Sequence, residues 1–192
     1  MSTVIVGAIA HPQANTAISV ASGSNIYLPG SCIQIATVRS DNRTTYSAPA
    51  SGGGTTITDL NLSIAPKNAN SMLVITWMIS GECNNNVNFL IHRGGALITD
   101  SGYEGFNNQI GNISIQAGYT TATYDGDDGS TPSTYCIRYQ IPAGNTSSRT
   151  YAPAVRSSAG GLTFYLNRAQ NSLGQDSHEN GISNGIIMEI GG

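Results

Sequence analysis

The sequence predicts an all-β protein, an antiparallel β-sandwich or jelly roll, and three observations carry that reading. Apolar residues recur with period two in short runs, as they do in strands laid over a core. Clusters of Gly, Ser, Thr and Asn interrupt those runs about every 8 to 15 residues. No stretch keeps a 3.6-residue apolar period for the roughly three turns a surface helix needs. With 39% hydrophobic residues against 23 glycines, the chain has material for a core as well as for many turns, so a folded, loop-rich domain is expected and not a disordered one.

Residues 1–29 read as an arm. Val4, Ile5, Val6 and Ile9 form a small apolar run, Ile18 to Val20 another, and the only side chain of residues 1–29 that can carry charge near neutral pH is His11. Such a segment could add a strand to a neighbouring protein or fold back as a hairpin on its own domain. Residues 30–192 read as the sandwich itself. Ile33, Ile35 and Thr37 share a face. SGGG at 51–54 ends a polar loop, and Thr58, Leu60, Leu62 and Ile64 then alternate with Ile57, Asp59, Asn61 and Ser63 until Pro66. Met72 to Ser80 is almost continuously apolar, like a strand in the middle of a sandwich, with Gly81 expected to stop it. Val87, Phe89 and Ile91 lead through Arg93, Gly94 and Gly95 to Ala96–Ile98, a hairpin whose glycines supply positive φ at little cost.

Residues 99–133 change character and read as a long excursion, with one weak strand near Ile113 to Ala117. Strands resume at Thr134–Ile141, where Tyr135, Ile137, Tyr139 and Ile141 share a face against Cys136, Arg138 and Gln140. Thr150–Pro153 reads as a short edge piece, because proline cannot donate to a ladder. Leu162, Phe164 and Leu166 alternate with Thr163, Tyr165 and Asn167. In the final stretch, NGISNGIIMEIGG, the pattern places Ile186, Met188 and Ile190 over the core and Glu189 outside, and this strand is expected to bond between earlier ones.

Composition narrows the function. Charged residues make up only 10% of the chain, against about 25% in an ordinary soluble domain, which suits a surface largely covered by neighbouring subunits. One lysine and seven scattered arginines at a net charge of -3 offer no basic stripe for phosphate backbones, so no nucleic-acid partner is expected. The N-terminal apolar run lacks the basic lead of a secretory signal, and no run approaches the roughly 18 residues of a membrane span. Three widely spaced cysteines, Cys32, Cys83 and Cys136, argue against a disulfide framework and read as small buried hydrophobes.

Motifs for chemistry are sparse. Asp125, Asp127 and Asp128 with their glycines offer close carboxylates, a weak calcium candidate without the bidentate Glu of a full loop; an exposed acidic turn is the plainer reading. The three histidines show no metal-ligand spacing, and no GxSxG elbow occurs. Neither an enzyme nor a cofactor is expected. Tyr103, Phe106, Tyr119 and Tyr124, interleaved with Asn and Asp in the excursion, are groups that stack on sugar faces, although pinning the loop or filling an interface is the simpler role. The four Asn-x-Ser/Thr sequences are expected by chance in such a chain.

The segments ITDLNLSIAPKNANSMLVI, FLIHRGG, STPSTYCIRY, TFYLNR and IIMEI, in that order, resemble a family of virion surface domains in tailed phages of cyanobacteria and other aquatic bacteria. The positions that carry the likeness are Ser71, Arg93, Gly94, Tyr135, Asn167, Arg168, Met188, Glu189 and Ile190. The resemblance implies a jelly roll similar in outline to C1q-like and tumour-necrosis-factor-like heads, assembled as a homotrimer on a virion. It further implies a capsid decoration contacting the major capsid protein or, alternatively, a tail fibre or appendage tip that binds a host cell-surface polysaccharide. Made in the host cytoplasm, it would dock through its short arm.

Overall fold

The structure is a computed structural model, and it describes residues 29–98, 108–110, 113–115, 119–121, 132–157, 159–171 and 179–192. Fourteen strands are found among them. β1 (Cys32–Ser40), β2 (Thr45–Ala48), β5 (Met72–Glu82), β11 (Ser133–Pro142), β13 (Leu162–Leu166) and β14 (Ser183–Ile190) form one antiparallel sheet. β3 (Thr55–Thr56), β4 (Leu62–Ile64), β6 (Val87–Arg93), β7 (Ala96–Leu97), β10 (Tyr119–Thr121) and β12 (Arg149–Ser157) form the other, while β8 (Asn108–Ile110) and β9 (Ile113–Ile115) make a separate hairpin. A 3₁₀ turn over Thr58–Leu60 lies between β3 and β4.

In the first sheet β14 sits between β1 and β5, so the last strand bonds between earlier ones as expected. β14 pairs with Met72–Met78 of β5 and β11 with Met72–Gly81, so the two lie on opposite edges of β5. The core between the sheets holds Ile75, Trp77, Ile79, Ile137 and Phe164 from one side and Leu62, Phe89, Ile91, Tyr151 and Val155 from the other. Phe89, Tyr135 and Phe164 meet there as an aromatic cluster with ring centroids 5.0, 5.5 and 6.2 Å apart, geometry that favours edge and tilted contacts. Trp77 is fully buried and donates from Nε1 to the Leu60 carbonyl at 3.0 Å.

Several sequence expectations hold. Tyr135, Ile137, Tyr139 and Ile141 all face the core while Cys136 and Arg138 face out. Gly94 and Gly95 take φ +62° and +80° at the β6–β7 hairpin. The weak strand near Ile113 exists as β9, but where one strand was expected the excursion holds two more, β8 and β10, the latter paired with β6.

Others are corrected. Gly81 does not end its strand: a Cβ there would come within 2.5 Å of the Tyr165 carbonyl, so glycine permits β13 to approach β5. Thr150–Pro153 is not an edge piece but part of β12, bonded to β6 on one side and to β3 and β4 on the other. The Pro153 carbonyl accepts from the Ile57 amide, and its missing N–H points the same way, into the break between β3 and β4, where no ladder bond is lost. The alternation from Ile57 to Ile64 is broken by the 3₁₀ turn, although Leu60, Leu62 and Ile64 are buried as their pattern suggested. Cys83 is buried but Cys32 and Cys136 are exposed.

The largest correction concerns β14. Its core-facing residues are Ser183, Gly185, Ile187 and Glu189, whereas Ile186, Met188 and Ile190 point outward and are half-buried. Gly185 leaves room for the Trp77 indole, which a Cβ would meet at 2.4 Å. The phase of the strand is therefore opposite to the one apolarity suggested.

Candidate functional site

Two features follow from this phase. The first is the outer face of the first sheet, where β1, β14, β5 and β11 lie side by side. Across the strands run the rows Ile35–Met188–Val74–Gln140, Thr37–Ile186–Thr76–Arg138, Arg39–Asn184–Met78–Cys136 and Ile190–Met72–Pro142. Ile35 is 56% exposed, Met78 46% and Met72 36%. Isolated apolar side chains on a surface mean little, but a contiguous field over four strands does. At a strand spacing of about 4.8 Å and a length of about 25 Å the four strands present roughly 500 Å² of sheet face, on which the apolar side chains are interleaved with Thr37, Thr76, Gln140 and Asn184. Its charges are two arginines, Arg138 within the field and Arg39 at its upper rim.

On the inner side, Glu189 turns a carboxylate toward the protein interior and satisfies it fully. Gln34 Nε2 donates to Oε2 at 2.6 Å, the Lys67 amide to both oxygens at 2.9 Å, and the Asn68 amide to Oε1 at 3.0 Å. Burial alone would raise its pKa. The bonds from the Lys67 amide, Gln34 and the Asn68 amide outweigh it and hold the carboxyl below its ordinary value. The residue thus ties β14 to β1 and to the loop before β5.

The second feature is a cleft of about 410 Å³ lined by Asp41, Arg43, Asn167, Asn180, Gly181 and Ile182. It lies where β1 ends and β14 begins. Asn167 forms its fixed wall: at φ +59° it is in the left-handed region that Asn tolerates better than most residues. Its Nδ2 donates to the Ser40 and Asn42 carbonyls at 3.0 and 2.9 Å, and its Oδ1 accepts from the Ser183 hydroxyl at 2.6 Å. Asn42 in turn donates to Asp59 at 3.1 Å, and Tyr46 donates to the same carboxylate at 2.9 Å.

The residues singled out from sequence divide accordingly. Ser71 is buried beside Glu189, Tyr135 is in the aromatic cluster, and Arg93 and Gly94 make the β6–β7 turn. Arg168 stacks over the Tyr165 ring at 4.7 Å. Met188 and Ile190 belong to the outer field, and Glu189 to its reverse. Tyr119 begins β10, opposite Phe89; Tyr103, Phe106, Tyr124, Asp125, Asp127 and Asp128, with Val4, Ile5, Val6 and Ile9 of the arm, lie outside the described residues. Sequence reasoning missed Asp41, Arg43, Asn180 and Ile182, which are distant in the chain and meet only through the β1–β14 pairing.

No family model matches the chain, and no curated protein does. Among solved structures, the C-terminal domain of EclA, described as a sugar-binding protein, aligns over 84% of this chain and 85% of that one, with a TM-score of 0.30 and 11% identity.

Proposed function

We propose that the chain is a non-enzymatic structural protein that assembles as a homotrimer through the outer face of its first sheet, displayed on the surface of a tailed-phage virion. The observation that carries the assembly is the field of Ile35, Met72, Met78, Ile186, Met188 and Ile190. A second copy is the occupant that suits it, because charged residues make up only 10% of the chain and leave few charged pairs to select a different partner, and self-association is the commonest way such faces are covered. Three-fold stoichiometry and virion placement rest on the ordered likeness to phage surface domains. Decoration of the capsid is the favoured placement and a tail appendage the other, with residues 1–29 as the docking arm.

Light scattering on the purified protein is expected to give a mass near three times 19.9 kDa. Met78→Arg, an exposed change outside the core, is expected to give a folded monomer; a wild-type protein that stays monomeric at micromolar concentration would overturn the assembly reading. For placement, removal of residues 2–29 is expected to leave a folded trimer absent from purified particles. Full occupancy of the truncated protein on virions would shift attachment to the sandwich itself.

A further inference from the structure

We infer that the cleft between the end of β1 and the start of β14 is a binding site for the neutral pyranose units of a polysaccharide. Its chemistry selects the ligand class. Asp41 brings an acceptor-only carboxylate, Arg43 a fork of donors, and Asn180 one of each kind. Ring hydroxyls, which both donate and accept, match such an alternation. The half-exposed Ile182 side chain supplies an aliphatic surface for the C–H face of a sugar ring.

Asp41 and Arg43 give the lining one charge of each sign. Among the described residues its lining carries no aromatic side chain. At about 410 Å³ it falls within the roughly 300–1,000 Å³ of small-ligand sites. The wall is preformed, since Asn167 bonds the carbonyls on either side of Asp41 and the hydroxyl next to Ile182. Asp41 itself is kept in reach of Arg39 at 3.4 Å by an exposed ion pair that a ligand could share.

Position supports the same use. The arm enters at Gly30, beside Gly191, and the nine residues of β1 separate that point from the cleft, about 30 Å at strand rise. Resting on the reading that the arm anchors the protein, the cleft faces away from the platform, toward whatever the particle meets.

The test is a titration of the full chain, labelled at isoleucine methyls, with methyl glycosides of glucose, galactose, mannose, rhamnose and N-acetylglucosamine, and with glucuronate as the anionic comparison. At least one neutral sugar is expected to shift the Ile182 methyl saturably with millimolar affinity, leaving Ile186 unmoved, and Asp41→Ala is expected to weaken it at least tenfold. No shift at Ile182 with any sugar, a shift indifferent to Asp41→Ala, preference for glucuronate, or perturbation confined to residues 99–131 would each overturn the assignment. Light scattering on the same samples reports assembly independently, so loss of sugar binding and loss of the trimer are separable.

Discussion

Replacing Glu189 by leucine is expected to be among the most damaging single changes in the protein. The carboxylate is the acceptor for the Lys67 and Asn68 amides and for Gln34 Nε2, and leucine accepts nothing. A buried donor left without a partner costs about 1–3 kcal/mol. Lys67 itself is exposed and Gln34 Nε2 keeps its bond to the Ala65 carbonyl, so the lower half of that range applies to the two amides, for a total of about 2–4 kcal/mol. For a chain of this size that corresponds to a fall in Tm of roughly 5–15 °C. Urea unfolding at fixed protein concentration measures it, as a shift in midpoint without a change in slope. The pH dependence has a definite sign. Because the folded pKa is depressed below the ordinary value of 4.5, the stabilisation is present above that value and is lost as pH falls through the folded pKa. The variant should therefore lose part of the acid sensitivity of the wild type. A Glu189→Leu protein within about 0.5 kcal/mol of wild type, as expected at a solvent-facing position, would refute the inward orientation of this residue.

Other expectations follow from single contacts. Gly185→Ala drives a methyl into the Trp77 ring and is expected to cost about 1–3 kcal/mol by overpacking, read in the same unfolding assay. Asn167→Ala removes three bonds to buried or half-buried partners and places alanine at positive φ, for about 3–5 kcal/mol; Asn167→Gly should recover up to about 1 kcal/mol of that by relieving the backbone alone. Trp77 is the single tryptophan and fully buried, so native fluorescence is expected to resist iodide quenching; ready quenching would contradict the packing.

How much of this was legible depended on what each residue faced. β11 could be read directly, because its apolar and polar faces are chemically distinct and only one of them meets the core. β14 could not: isoleucine occurs on both of its faces, at Ile187 and at Ile186 and Ile190, so period two established an alternation without saying which phase was inside. What decides the phase lies elsewhere in the chain, in the space Trp77 needs opposite Gly185 and the amides that Lys67 and Asn68 turn toward Glu189. A strand with an apolar outer face defeats the rule that apolar means inside. Pro153 misled for a related reason, since its missing donor is harmless only because the neighbouring strand is interrupted at that point. The cleft had no local signature at all, its residues lying well over a hundred positions apart.

The bonds that join Gly30 to Gly191, and Gly191 to Ser31, give the sandwich a directional response to mechanical load. Tension applied between Gly30 and the far end of the molecule runs along β1, so the eight paired positions it shares with β14 resist together, in shear. Tension applied between Gly30 and Gly191 opens the same two strands like a zipper, one pair after another, from the end where they meet. Under the proposed anchoring by the arm, a pull on the far end of the sandwich loads the strong geometry, and force spectroscopy with the two attachment pairs should find a higher rupture force for the first than for the second.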